Sequence, residues 1–101
     1  MGMKFFVEMM MFESIHGDAA AKLWGPVGES IQKIAKSGKM VDGAIFAGQR
    51  GGYFIVDVNS AAEIDDLFAP TLIDNFKVNC YPLMTFEEIG KLFKRMIAEK
   101  K

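Results

Sequence analysis

This chain of 101 residues holds one cysteine, one histidine, one tryptophan and three prolines. A lone Cys80 closes no internal disulfide, which fits a reducing compartment, and its place in an apolar strand pattern reads as an inert buried thiol. One His and one Cys far apart offer no metal-ligand spacing, so no metal is expected. Charge of either sign is not in excess: 12 basic against 13 acidic residues leave a formal net charge of −1. That excludes nucleic acid as a partner, because neutralising phosphates takes a basic surface. The only basic clustering, over residues 91–101, reads as a solvated helix face. No apolar run reaches membrane-spanning length, and the first residues lack the order of a signal peptide. Phe6 also stands where a myristoylation pattern needs Ser or Thr. Nor does a glycine-rich phosphate loop open a helix, since Gly48-Gln49-Arg50-Gly51-Gly52 lies between strands. The expectation is a cytoplasmic protein without a cofactor and with neither nucleic-acid nor membrane partners.

What is present is an apolar chain, 50% hydrophobic, of a length that makes one domain over residues 1–101. Four segments read as strands: 3–12, 40–48, 53–58 and 75–81. At least three are apolar on both sides. In the first, Phe5, Val7, Met9 and Met11 alternate with Phe6, Met10 and Phe12. An antiparallel sheet with one wet face should alternate apolar with polar. A sheet greasy on both faces predicts that a second copy of the chain covers the side the helices leave open.

Helices fill the gaps. Asp18 reads as an N-cap, followed by a helix to Lys36 with Leu23, Val27, Ile31 and Ile34 on one stripe. Gly25-Pro26 predicts either a kink or a fresh start, and Gly38 a left-handed cap. Glycines at 51 and 52 read as sources of positive φ for the hairpin connection. Ser60-Ala61-Ala62-Glu63 and Thr85-Phe86-Glu87-Glu88 read as capping boxes. The first opens a helix carrying Ile64, Leu67 and Phe68 that Pro70 ends. The second opens a C-terminal helix with Phe86, Ile89, Leu92, Phe93, Met96 and Ile97 on one side. The order is β-α-β-β-α-β-α: an α+β fold, a ferredoxin-like βαββαβ sandwich with an extra C-terminal helix over 84–101. Two such sheets packed face to face make a dimeric α/β barrel.

Particular residues carry a likeness further. Met3-Lys4-Phe5-Phe6-Val7-Glu8-Met9, Gly38-Lys39, Gly48, Tyr53-Phe54-Ile55-Val56-Asp57-Val58, the segment 60–68 and Pro82-Leu83 resemble the muconolactone isomerase-like group of the dimeric α/β-barrel superfamily. The interval from Gly38 to Asp57 matches that group without gaps, and the likeness covers most of residues 3–83. The resemblance implies a homodimer or larger homo-oligomer that binds a small molecule without a cofactor. Glu8 departs from it, standing where the isomerases carry a basic residue. Met40, Val41 and Asp42 stand where they carry aromatic or basic ones. These changes reverse the local charge, so fold and assembly transfer while lactone isomerisation does not.

Candidate chemistry rests on few side chains. His16, at the end of the first strand, suits a proton shuttle at neutral pH or is a plain surface histidine. Glu8, Asp57 and Lys77 are charges inside apolar strands. Glu8 and Asp57 on one face would raise one pKa and make an acid or base, unless Lys77 or Arg50 pairs with them. Trp24, Tyr53 and Tyr81 offer ring-plus-polar-tip surfaces for a pocket or serve as core. Arg50 suits a carboxylate substrate or stays solvated in its turn, and Asp42 sits across the same strand. The leading expectation is cofactor-free acid/base catalysis on a small organic acid or ring compound. In a pocket between the sheet and its helices, His16 and Glu8 would act, and Trp24, Asp42, Arg50, Tyr53 and Asp57 would bind substrate. The alternatives are a non-catalytic ligand-binding or structural oligomer and a cofactor-free monooxygenase.

Overall fold

The structure, a computed structural model, describes residues 2–99. It is an α+β fold with a four-stranded antiparallel sheet and four helices. Along the chain these are β1 (Met3–Met11), α1 (Gly17–Lys36), β2 (Met40–Ile45), β3 (Gly51–Val58), α2 (Ala62–Phe68), α3 (Thr71–Asn75), β4 (Phe76–Pro82) and α4 (Phe86–Glu99). The sheet order is β2-β3-β1-β4, so the first strand sits in the middle beside the third.

Alternation decides which side chains meet the helices. Phe5, Val7, Met9 and Met11 of β1 are buried, as are Phe54, Val56 and Val58 of β3. They join Ala20, Val27 and Ile34 of α1, Ile64, Leu67 and Phe68 of α2, and Leu72 of α3 in one core. Every buried side chain among the described residues is apolar. Full burial of side chains such as Phe68, Ile34 and Leu72 contributes about 1.5–3 kcal/mol each. The expected stripes on α1 and α2 are the ones that face inward, and Met9 and Met11 fill core space while Met10 points the other way.

Several local expectations are corrected. Helix α1 runs unbroken through Pro26, and Val27 directly after it is buried. Its N-cap is His16 rather than Asp18, which lies in the first turn. The entry is made by Gly17 at φ +59, a conformation that costs glycine little. Between β3 and β4 stand two short helices in place of one, separated around Ala69 and Pro70. Ser60 does not cap α2. The Glu63 carboxylate instead accepts the Asn59 amide at 2.7 Å, and Ala61 takes the N-cap position. Thr85 and Glu88 do form the reciprocal box at α4, with bonds of 3.0 and 3.1 Å.

Glycines 51 and 52 belong to β3 and have no positive φ; in that connection Gly48 does, at +75. Their smallness serves a different end. A Cβ on Gly51 would run into the Met9 carbonyl oxygen and Met10 Sδ, and one on Gly52 into the Ala44 carbonyl. A bulge at Val41 lets Met40 pair with Val56 and Asp42 with Ile55. Met40 thus faces the helices, while Asp42 and Ala44 turn to the opposite side.

Candidate functional site

Three places on the molecule have the shape or chemistry of a site. The first is a cavity of about 210 Å³ between α1 and the β2 side of the sheet. Val27, Ile31, Met40, Ile45, Phe54 and Leu72 are among the side chains around it. The one titratable residue on its wall is Tyr53, whose hydroxyl lies on the other side of the sheet, donating to Asp42 at 3.2 Å.

The second is the sheet face away from the helices. Register fixes its rows: Ala44–Tyr53–Glu8–Asn79, then Asp42–Ile55–Phe6–Tyr81. Tyr53 stacks on Phe6 at 5.3 Å and on Phe46 at 6.2 Å, and Phe6 meets Tyr81 at 6.1 Å. Asn79 donates to Glu8 at 3.3 Å. The hydrogen bond to the Asp42 carboxylate, reinforced by its charge, holds the Tyr53 hydroxyl above the usual phenol range.

The third is an open cleft of about 470 Å³ where α4 begins, lined by Lys4, Asp57, Leu83, Met84, Thr85 and Glu88, with Gly2. Asp57 accepts the Gly2 amide at 3.1 Å there. Hydrogen bonds from the Thr85 amide and hydroxyl keep Glu88 below the usual carboxylate range.

Against these places the candidates read from sequence separate. His16 is exposed at the start of α1, on the helix side. Glu8 is on the open face, so these two are not brought together. Asp57 shares that face but stands opposite Lys4 in the strand register, away from Glu8. Four residues of strand place it roughly 13 Å from Glu8, too far to act as a carboxylate dyad. Arg50 is half-buried rather than fully solvated in its turn. Its guanidinium donates to the Ile15 carbonyl and sits 3.5 Å from Met11 Sδ, tying the β2–β3 turn to the chain after β1. Trp24 is half exposed on α1, and Tyr81 is exposed, so neither is core. Lys77 is exposed on β4, opposite Met10. Cys80 is exposed rather than buried, on the edge strand β4. Partial burial, then the charge of Asp65, pushes its thiol up, away from nucleophilic use.

Among the described residues no cluster of His, Cys, Asp or Glu could hold a metal ion. No helix among them is long and apolar enough to cross a membrane. No family model and no curated protein matches this chain. The cavity lies between the sheet and its helices, where the sequence reading puts a pocket, but neither His16 nor Glu8 lines it. Core residues and the exposed Ile45 share its walls, and Gly43 lies among them, where a Cβ would meet the Tyr53 carbonyl at 3.1 Å and the Phe54 ring at 3.4 Å.

Proposed function

We propose that the chain is a small-molecule-binding domain of ferredoxin-like, dimeric α/β-barrel type, which takes one ring-sized apolar molecule into the cavity behind α1. The observation that carries this is the lining: its walls are apolar, and the hydroxyl of Tyr53, the one titratable residue there, lies on the other side of the sheet. Binding pockets are mostly apolar and few per protein, and an apolar void of comparable scale holds a benzene ring. Acid/base catalysis needs a titratable group within hydrogen-bond reach of the substrate. His16 and Glu8, the expected pair, stand outside this cavity, which favours binding over the isomerase-like reading that the family resemblance implies. The second copy covers the open face, where Phe6, Tyr53 and Ile55 sit half-buried beside exposed Tyr81. Two sheets packed there close the barrel.

The test is a titration with benzene, toluene and indole followed by methyl NMR. Saturable shifts are expected at Ile31, Met40 and Leu72, and Ile31→Trp should abolish them while leaving the fold intact. No saturable shift at these methyls would overturn the binding site. Turnover of a ring compound that disappears in both His16→Ala and Glu8→Gln would replace it with the enzymatic reading.

A further inference from the structure

Helix α4 is the part of the molecule that the fold does not use. None of its residues is buried; Phe86 is 94% exposed and Ile97 62%. Yet its apolar residues recur at helical spacing and form one stripe. A compact chain of this length has a radius of gyration of about 13 Å. This one has 17.0 Å and is 63 Å long, because α4 projects from the domain. A projecting helix of 14 residues is marginal without tertiary packing. The stripe needs something to lie on.

We propose that α4 is an arm that crosses to a second copy of this chain and seats Phe86, Ile89, Leu92, Phe93, Met96 and Ile97 on it. This rests on the dimer reading above. Three observations choose the occupant. The arm starts on the correct side: its first turn shares a cleft with Lys4 and Asp57, which belong to the open sheet face. A second copy packed on that face therefore meets the arm at its root. Area points the same way. The open face measures roughly 19 by 25 Å, about 500 Å², short of the ~800 Å² per partner of a standard interface. The stripe is about 21 Å long and adds roughly 200 Å². Each copy gives one stripe and receives one, which brings the total per partner to about 900 Å² and past that size. Charge gives an anionic membrane little to hold: Lys91, Lys94, Arg95, Lys100 and Lys101 are offset by Glu87, Glu88 and Glu99, so the segment 86–101 carries a formal charge of only +2.

Sedimentation velocity on the full chain tests this with the double variant Phe93→Asp, Ile97→Asp. Self-association should weaken by roughly 100-fold or more, while the thermal transition of the dilute monomer stays put, since neither residue is buried in its own chain. Unchanged association overturns the arm and leaves the sheet dimer standing, provided Ile55→Asp on the open face still breaks it. A wild-type chain that stays monomeric at about 100 µM overturns both readings. In a mixed sample of labelled and unlabelled chains, isotope-filtered NOEs from the Phe93 ring should run between chains. NOEs only within one chain, or recruitment of a monomeric chain to neutral phospholipid vesicles, would overturn the arm.

Discussion

At the residue scale the polar contacts that matter join elements. Lys39, just before β2, forms an ion pair with Glu63 in the first turn of α2. The Lys39 ammonium, donating to its carboxylate, holds Glu63 below the ordinary glutamate range, and the Asn59 amide adds to the effect. A carboxyl whose pKa is lower folded than unfolded adds stability above its unfolded pKa and loses it as pH falls through the folded one. Wild type should therefore lose more Tm than Glu63→Gln between about pH 6 and about pH 3; parallel curves would remove the pair from the stability of the fold. Gly51 acts by what it lacks. Gly51→Ala places a methyl against the Met9 carbonyl at the β1–β3 pairing. It should cost about 1–3 kcal/mol, read by urea unfolding with an unchanged m-value.

At the element scale, α4 is well capped and poorly packed. Thr85→Ala removes the hydroxyl that accepts the Glu88 amide, worth about 0.5–2 kcal/mol to a helix end. At dilute, monomeric concentrations Cα chemical shifts over residues 86–97 should move toward random coil. Amide protection in β1 and β3 should not change. Elements of this kind were legible in the sequence because their signals are local. Strand alternation, the Val27 and Ile34 stripe and the Thr85–Glu88 box each depend on neighbours a few residues apart. Less legible were features set by three-dimensional context. The bulge that turns Asp42 to the open face leaves no local mark, and the exposure of Cys80 follows from β4 being an edge. The separation of Glu8 from Asp57 along one face depends on strand register, which alternation alone does not supply.

At the scale of the whole molecule, the open face is apolar around a carboxylate. Glu8 is half-buried in the middle of the sheet, with Asn79 as its hydrogen-bond partner and Phe6 and Met10 on either side along the strand. In the proposed dimer, packing a second sheet on this face removes water from Glu8 in both copies. A charge taken into a dry interface without a cation costs several kcal/mol, roughly, and replacing it by a neutral group of the same shape relieves that cost. Glu8→Gln keeps a carbonyl oxygen for the Asn79 amide and removes the charge. The dimer should therefore tighten, with the dissociation constant from sedimentation equilibrium falling about 10-fold or more. A weaker dimer would mean that Glu8 meets a cation of the other copy, and that ion pairing rather than apolar contact sets the registry of the two sheets. The same variant bears on chemistry, because an acid or base in turnover would lose its activity on this change. A chain that dimerises more tightly and binds the ring probes unaltered has Glu8 as a strain on assembly and no part of a reaction.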